Sequence, residues 1–461
     1  MVGTVAGLKD LRVFLEELKR EHQDEIVEVD YPVSPEYEVT AYWRECVKLG
    51  NPVLYFKQVV GCKMPLVANV FGSRQRVARM IGADVESFYD KWREKLRIFI
   101  EPELVGHGPV KEVKKMENEV DLTGLPILKF FKEDAGKYIT SGIVVANHPD
   151  TGEVNLSYAR MQLKGRNKLG VSLHSRGFLW SYFQRAVEKK MPWLDVAVVI
   201  GCHPTIYLAA ASRRNDEYVL AGALAGEPVQ LTKCETKDIY IPAHAEIVLE
   251  GRILTDVNED EGPFSEYTGY LTGRSTRNIL VVDCITHRND AIFQTVIPTN
   301  SSEHLLLGGM PTQATYYAKL KESIPQVHRV NFPVWGTHFV AIVSVDKSGK
   351  EGLQLRAALS LIGVYPYVKY VILVDKDVDV FDENEVFWAL ATRSQPHKSI
   401  SILPLSDGNM LDPSQEQPGL TSRAIIDATR PIHWAEQKIY TPTIPDEVVN
   451  RVRQRLREKF K

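Results

Sequence analysis

The sequence predicts an α/β fold in three parts, with α+β character in the middle, and three observations carry that prediction. Residues up to about 115 mix helical and strand-like segments, short β-rich runs predominate from about 118, and after about 312 long apolar strands alternate with helices. A chain of 461 residues exceeds what one hydrophobic core supports, so two or three domains are expected. The divisions are placed at 1–115, 116–312 and 313–461.

Within the first part, Leu8, Leu11, Phe14, Leu15 and Leu18 recur at helical spacing and predict an amphipathic helix over 8–24. Strands are expected at 25–33 and 52–59, with a helix between them near 36–49. Ser73 is a plausible N-cap for a further helix, and 84–98 also reads as helical. In the middle part, strands are expected at 126–131, 138–147, 155–163, 194–202, 246–254, 278–286 and 291–297. Turn residues such as Pro149-Asp150-Thr151-Gly152 separate them, a pattern of barrels and sandwiches. Helices are expected at 177–190 and 216–225. In the last part, Phe339 to Val345 and Tyr370 to Val374 are apolar β-branched runs flanking a helix at 351–361, which predicts a parallel β-α-β crossover. A helix near 383–391 follows. The basic amphipathic helix at 446–461 needs a surface to dock on, its own domain or a partner subunit.

Lys plus Arg number 56 against 59 Asp plus Glu, a net charge of −3, so no basic field exists to hold nucleic acid or an anionic membrane. No signal peptide or membrane-spanning run is read, and the cysteines (Cys46, Cys62, Cys202, Cys234, Cys284) lack CxxC spacing. A cytoplasmic protein with reduced thiols is expected.

The stretch from Asn258 to Tyr270 gathers Glu259, Asp260, Glu261 and Glu266 around a Gly262-Pro263 step. Pro263 excludes a helix interior and biases Gly262 toward an extended conformation. Alone, the pattern reads as a solvated acidic turn. Two carboxylates held together in a partly apolar setting repel each other, which favours a proton on one and suits an acid/base pair. Upstream, strand alternation puts Asn155, Ser157 and Ala159 on one face and Leu156, Tyr158 and Arg160 on the other. The basic stretch 165–177 ends in His174-Ser175-Arg176-Gly177 at a helix start, where free N–H groups favour an anion such as a phosphate. Glu217 lies near another helix start. Asn, His and Glu form a mixed oxygen and nitrogen set suited to a hard divalent cation such as Mn²⁺ or Mg²⁺.

In order and spacing, Asn155 with Arg160, His174-Ser175-Arg176-Gly177, Glu217 and Glu261-Gly262-Pro263-Phe264-Ser265-Glu266 resemble the UbiD family of prenylated-flavin decarboxylases. Lys233-Cys234-Glu235-Thr236, the run from Ile241 to Gly251 and Trp388-Ala389-Leu390-Ala391-Thr392-Arg393 extend the resemblance over nearly the whole chain. The resemblance implies a central split β-barrel that binds prenylated FMN, and a last helix that contacts a partner subunit in a homodimer or homohexamer. It implies Asn155, His174 and Glu217 as ligands of Mn²⁺ (or Mg²⁺), with K⁺ beside the flavin phosphate. Tyr158, Ala159, Arg160, Ser175, Arg176 and Gly177 match flavin-contacting positions. Arg160, Glu261 and Glu266 match a catalytic Glu-Arg-Glu network in which Arg160 keeps Glu261 ionised and Glu266 protonates the carbon that loses CO₂.

The implied reaction is reversible non-oxidative decarboxylation of an aromatic, heteroaromatic or α,β-unsaturated acid, with a separate flavin prenyltransferase supplying the cofactor. His304 and Thr312 match substrate-side positions. Thr312 in place of a cation points to a monocarboxylate. Ser265 departs from the Gly common among relatives, and Lys369 could reach the phosphate. A flavin oxidoreductase on a split barrel is the alternative, but no GxGxxG follows a strand. A non-catalytic subunit of a decarboxylase complex would have lost members of the Arg160, Glu261 and Glu266 set, and all are present.

Overall fold

The structure is a computed structural model, and it describes residues 10–173, 177–212, 214–347, 350–431, 433–436 and 442–459. The first helix, Leu11–Glu21, is capped by Asp10, whose carboxylate accepts from Val13 N, and it buries Leu11, Leu15 and Leu18. Ile26–Val29 and Val53–Phe56 pair in parallel, and Leu66–Ala68 runs antiparallel to the latter. The fourth strand of this sheet is Phe293–Gln294, parallel to Leu66–Ala68. The run expected at 291–297 in the central sheet therefore completes the N-terminal one. Sheet membership depends on a partner far away in sequence, which local pattern does not encode.

The central sheet has nine strands. Eight follow the order 138–139, 160–163, 168–172, 278–287, 247–258, 193–200, 143–147 and 154–158, with 113–116 added beside 278–287. Val154–Tyr158 ends one side of that path, while Arg160–Leu163 sits next to its other end. A single residue, Ala159, joins them. The sheet must curl until its two ends meet, which makes it a split barrel. Residues 126–131 form no strand and contribute only isolated bridges, Glu36 to Lys129 and Leu128 to Tyr138. Lys168–Ser172, within the basic stretch 165–177, is a ladder strand.

The C-terminal sheet orders 327–331, 340–345, 370–375, 420–427 and 400–407. Val340–Val345 and Tyr370–Asp375 are parallel across the helix Leu353–Val364, as the crossover pattern predicts. Between the barrel and this sheet runs Ser302–Ser323, a 22-residue helix with Pro311 inside it. It crosses residue 312, joining the central and C-terminal parts as one continuous rod. Asp446–Lys459 forms the last helix, with Val452 and Leu456 exposed. No helix among the described residues is long and apolar enough to cross a membrane.

Candidate active site

A cavity of about 570 Å³ opens between the barrel mouth, the long helix and the C-terminal sheet. Asn155 through Arg160 all line it. Unbroken strand alternation would have sent Asn155 and Arg160 to opposite faces. The chain changes partner at Ala159, from 143–147 to 138–139 and 168–172, and this break turns both side chains into one space.

At one side stands Arg160. Its Nε and Nη2 each donate to Glu261 at 3.0 Å, its Nη1 donates to Glu266 Oε1, and Nη2 also reaches the Arg274 carbonyl at 2.6 Å. The guanidinium also lies over the Phe264 ring, 5.2 Å from its centroid. Burial works against the charge of Arg160, but the bond to Glu261 and the field of both carboxylates outweigh it and hold its pKa above the ordinary value. The expectation that Arg160 pairs with Glu261 and leaves Glu266 free meets a difference here, because the guanidinium spans both. The two contacts are nonetheless unequal. Glu261 is fully buried and bound through both oxygens, whereas Glu266 meets Arg160 through one and keeps a side chain 16% exposed.

The acidic loop sorts its four carboxylates by environment. Glu259 pairs with Lys168 at 2.8 Å near the surface, and Asp260 points outward. Gly262 adopts φ +90, a left-handed conformation that glycine tolerates, rather than the extended one expected from its Pro neighbour. A segment the sequence did not single out supports the loop from beneath. Asp134 Oδ1 accepts from Ser265 N and Oγ, both at 3.0 Å, Ala135 N donates to the Pro263 carbonyl at 2.9 Å, and Tyr138 packs on Phe264 with centroids 4.4 Å apart. The Ser265 hydroxyl is thus part of a clamp that fixes the residue before Glu266.

Away from this triad, Asn155 Nδ2 donates to Glu217 Oε1 at 2.7 Å, and Ser157 Oγ donates to Asn155 Oδ1 at 2.6 Å. Glu217 opens the helix Glu217–Ala225 and is almost fully buried, yet its Oε2 has no hydrogen-bond partner. Burial raises its pKa to about 8. An orphaned carboxylate oxygen beside an amide oxygen is an arrangement that a cation completes. His174, the third expected metal ligand, and Ser175 and Arg176, expected to contact the flavin, lie outside the described residues. Gly177 starts the helix Phe178–Glu188 without a side-chain cap, and it lines the cavity with Phe178 and Leu179. The Lys369 ammonium is held by Asp412 at 2.9 Å and Ser414 at 2.5 Å.

The long helix supplies the facing wall. His304 and Thr312 both line the cavity. Thr312 Oγ1 donates to backbone carbonyls of Ala211 and Gly308 at 3.1 and 3.2 Å. His304 Nδ1 sits 3.1 Å from the Thr299 carbonyl, which can only accept, so the ring carries its proton on Nδ1 and offers Nε2 as an acceptor. Burial lowers the His304 pKa against the opposing pull of Glu266, which keeps the ring neutral. Sequence reasoning missed Tyr267, His338, Tyr365, Tyr367 and Asn409. Tyr267 stands edge-on to His304 and His338, at 6.2 and 5.3 Å, and Asn409 hydrogen-bonds its hydroxyl. Only the position of Tyr267 beside Glu266 offered a signal for any of them.

Three profiles of one family match consecutive stretches. They are the 3-octaprenyl-4-hydroxybenzoate carboxy-lyase N-terminal domain over 18–96, the Rift-related domain over 103–301 and the C-terminal domain over 305–428. The chain belongs to the UbiD family. Its membership makes it a carboxy-lyase homologue over its full architecture. It is 35% identical to the anhydromevalonate phosphate decarboxylase of Methanosarcina mazei, covering 95% of this chain and 99% of that one. It is 33% identical to the phenolic acid decarboxylase of Sedimentibacter hydroxybenzoicus, covering 92% of each. Among solved structures, the UbiD-class enzyme HmfF of Pelotomaculum thermopropionicum in complex with FMN superposes with a TM-score of 0.89 at 35% identity, covering 95% of this chain and 97% of that one. An evolved dimeric form of HmfF in complex with prFMN gives 0.85 at 34% identity with the same coverage. The two HmfF structures share the overall fold of this chain.

Proposed function

We propose that this UbiD-family enzyme is a non-oxidative decarboxylase of an aromatic or heteroaromatic monocarboxylic acid, working with prenylated FMN in the 570 Å³ cavity. One observation carries the reading: Arg160 sits between a buried, doubly bound Glu261 and a cavity-facing Glu266, across from a carboxylate with an unsatisfied oxygen. Asn155 and Glu217, with His174, would hold Mn²⁺ or Mg²⁺ against the flavin phosphate, and K⁺ would share that site. Tyr158, Ala159 and Arg160, with Ser175, Arg176 and Gly177, would contact the flavin. When bound, prenylated FMN supplies the electron sink that departure of CO₂ requires, a capacity no side chain offers.

The chain's own residues do the rest. Glu261 neutralises Arg160 and fixes its plane. Arg160 in turn holds Glu266 at the cavity edge, and Glu266 delivers a proton to the carbon whose bond to CO₂ has broken. Thr312 brings no charge to the opposite wall, and its hydroxyl is committed to backbone carbonyls, so the site favours one carboxylate rather than two. His304 Nε2, an acceptor, selects a ring hydroxyl or ring N–H on the substrate. The name of the Sedimentibacter relative, a phenolic acid decarboxylase, agrees with that preference. The exposed stripe on the last helix, Val452 and Leu456, is proposed to bury against a second copy in a dimer or hexamer.

The test is protein co-expressed with a flavin prenyltransferase, characterised by anaerobic absorbance and native mass, then assayed for CO₂ release from a panel of aromatic acids. Bound prenylated FMN with turnover abolished in Glu266→Gln is the expected result. Unmodified FMN reduced by NADPH, or no bound flavin, would overturn it.

A further inference from the structure

The long helix that walls the cavity carries two adjacent glycines, Gly308 and Gly309, and the fold needs only one of them. A Cβ at Gly309 would lie 2.4 Å from His338 Cε1, so packing of the imidazole against the helix requires a bare backbone there. A Cβ at Gly308 would meet no atom within 4 Å. Gly308 has ordinary helical backbone, and it is the one exposed residue in the run from 305 to 313, because the cavity lies beside it. Glycine inside a helix is less stable than alanine by about 0.5–1 kcal/mol. Neither backbone conformation nor packing accounts for it at 308; the space in front of it does.

That space has a defined chemistry. His304, Gly308 and Thr312 recur every four residues on one helix face, and all three line the cavity. Ala210 and Ala211 add small side chains to the lining, and the Thr312 hydroxyl is tied back to the Ala211 and Gly308 carbonyls. One helical turn from Gly308, His304 has its Nδ1 committed to Thr299. His304 and Gly308 therefore face one cavity about one helical turn apart, so an aromatic ring held at His304 is long enough to reach position 308.

We propose that Gly308 sets the size of group the site accepts, and that the substrate is an aromatic monocarboxylate bearing a hydroxyl or N–H donor with a bulky substituent or fused second ring beside it. The assignment presupposes the decarboxylase reading above. A side chain at 308 fills the space that this group occupies, while leaving smaller rings unhindered.

The experiment compares the holoenzyme with Gly308→Ala and Gly308→Val on paired acids: 4-hydroxybenzoate against its 3-alkoxy homologues, and pyrrole-2-carboxylate against indole-2-carboxylate. Both kcat/KM and Kd are measured. A methylene-sized change in a fitted pocket alters selectivity by about 10–200-fold. The bulky-to-small ratio is accordingly expected to fall about tenfold in Gly308→Ala and about a hundredfold in Gly308→Val, with Tm of the alanine variant at or above wild type. An unchanged ratio in Gly308→Val, or an equal loss for small and bulky acids, would overturn the proposal. Binding separates the two readings. Wild-type protein that releases no CO₂ from any acid would sink the decarboxylase assignment, whereas its Kd ratio against Gly308→Val still decides the role of Gly308.

Discussion

Glu217 gives the sharpest test of the site, because its charge state runs against its surroundings in the metal-free protein. Burial raises its pKa from 4.5 to about 8, while Asn155 satisfies only one of its oxygens. A carboxyl that binds its proton more tightly folded than unfolded stabilises the fold fully below pH 4.5, and this stabilisation is lost as pH rises through about 8. At about 1.4 kcal/mol per pH unit, the whole span is worth about 5 kcal/mol. Glu217→Gln keeps the shape and the oxygen that Asn155 donates to, and it never ionises. In metal-free protein the variant should match wild type near pH 5 and exceed it by about 4 kcal/mol at pH 8.5.

Saturating Mn²⁺ should close that gap. A cation at about 1,000 times its Kd adds about 4 kcal/mol to wild type and little to the variant. Thermal unfolding of chelator-treated wild type and Glu217→Gln at both pH values, with and without Mn²⁺, reads all four states. Groups far from Glu217 titrate alike in both proteins, so the difference between them reports on this carboxylate and its immediate neighbours. A difference that stays constant from pH 5 to 8.5, or an equal gain from Mn²⁺ in both proteins, would refute the reasoning.

Arg160→Ala should destabilise the fold by about 3–5 kcal/mol, measured by denaturant midpoint, because Glu261 is left as a buried unpaired charge. Asp134→Asn turns an amide N–H₂ toward groups that already donate, either Phe131 N or Ser265 N. It should lower kcat at least tenfold by loosening the Glu266 loop, with KM changed less, and steady-state kinetics would show the split. Tyr267→Phe removes only the bond to Asn409 and should cost about 1 kcal/mol of stability in a melting experiment.

Local sequence made much of this molecule legible. The strands at 340–345 and 370–375 with their crossover helix follow from apolar β-branched runs, and Ser73 caps its helix through short-range geometry. The candidate site residues Asn155, Arg160, Glu217, Glu261 and Glu266 could be singled out because their types and order are informative. The long helix Ser302–Ser323 was hidden by Pro311 and by paired glycines, each of which locally argues against helix. Packing on three sides outweighs those propensities, and its burial is a tertiary property.

By itself, then, the sequence determined which residues could carry acid/base, cation-binding and flavin-binding roles, and the family that uses them so. Tertiary structure alone decided how they meet. The break at Ala159 turns Asn155 and Arg160 into one cavity, and Phe293–Gln294 leaves the barrel for the N-terminal sheet. Asp134 grips Ser265 from 131 residues away. Hydrophobic and hydrogen-bond patterns fix a residue's local conformation, but contacts between distant segments are set by how the whole chain closes its surfaces against water. For that reason the empty space before Gly308 cannot be read from its neighbours in the sequence.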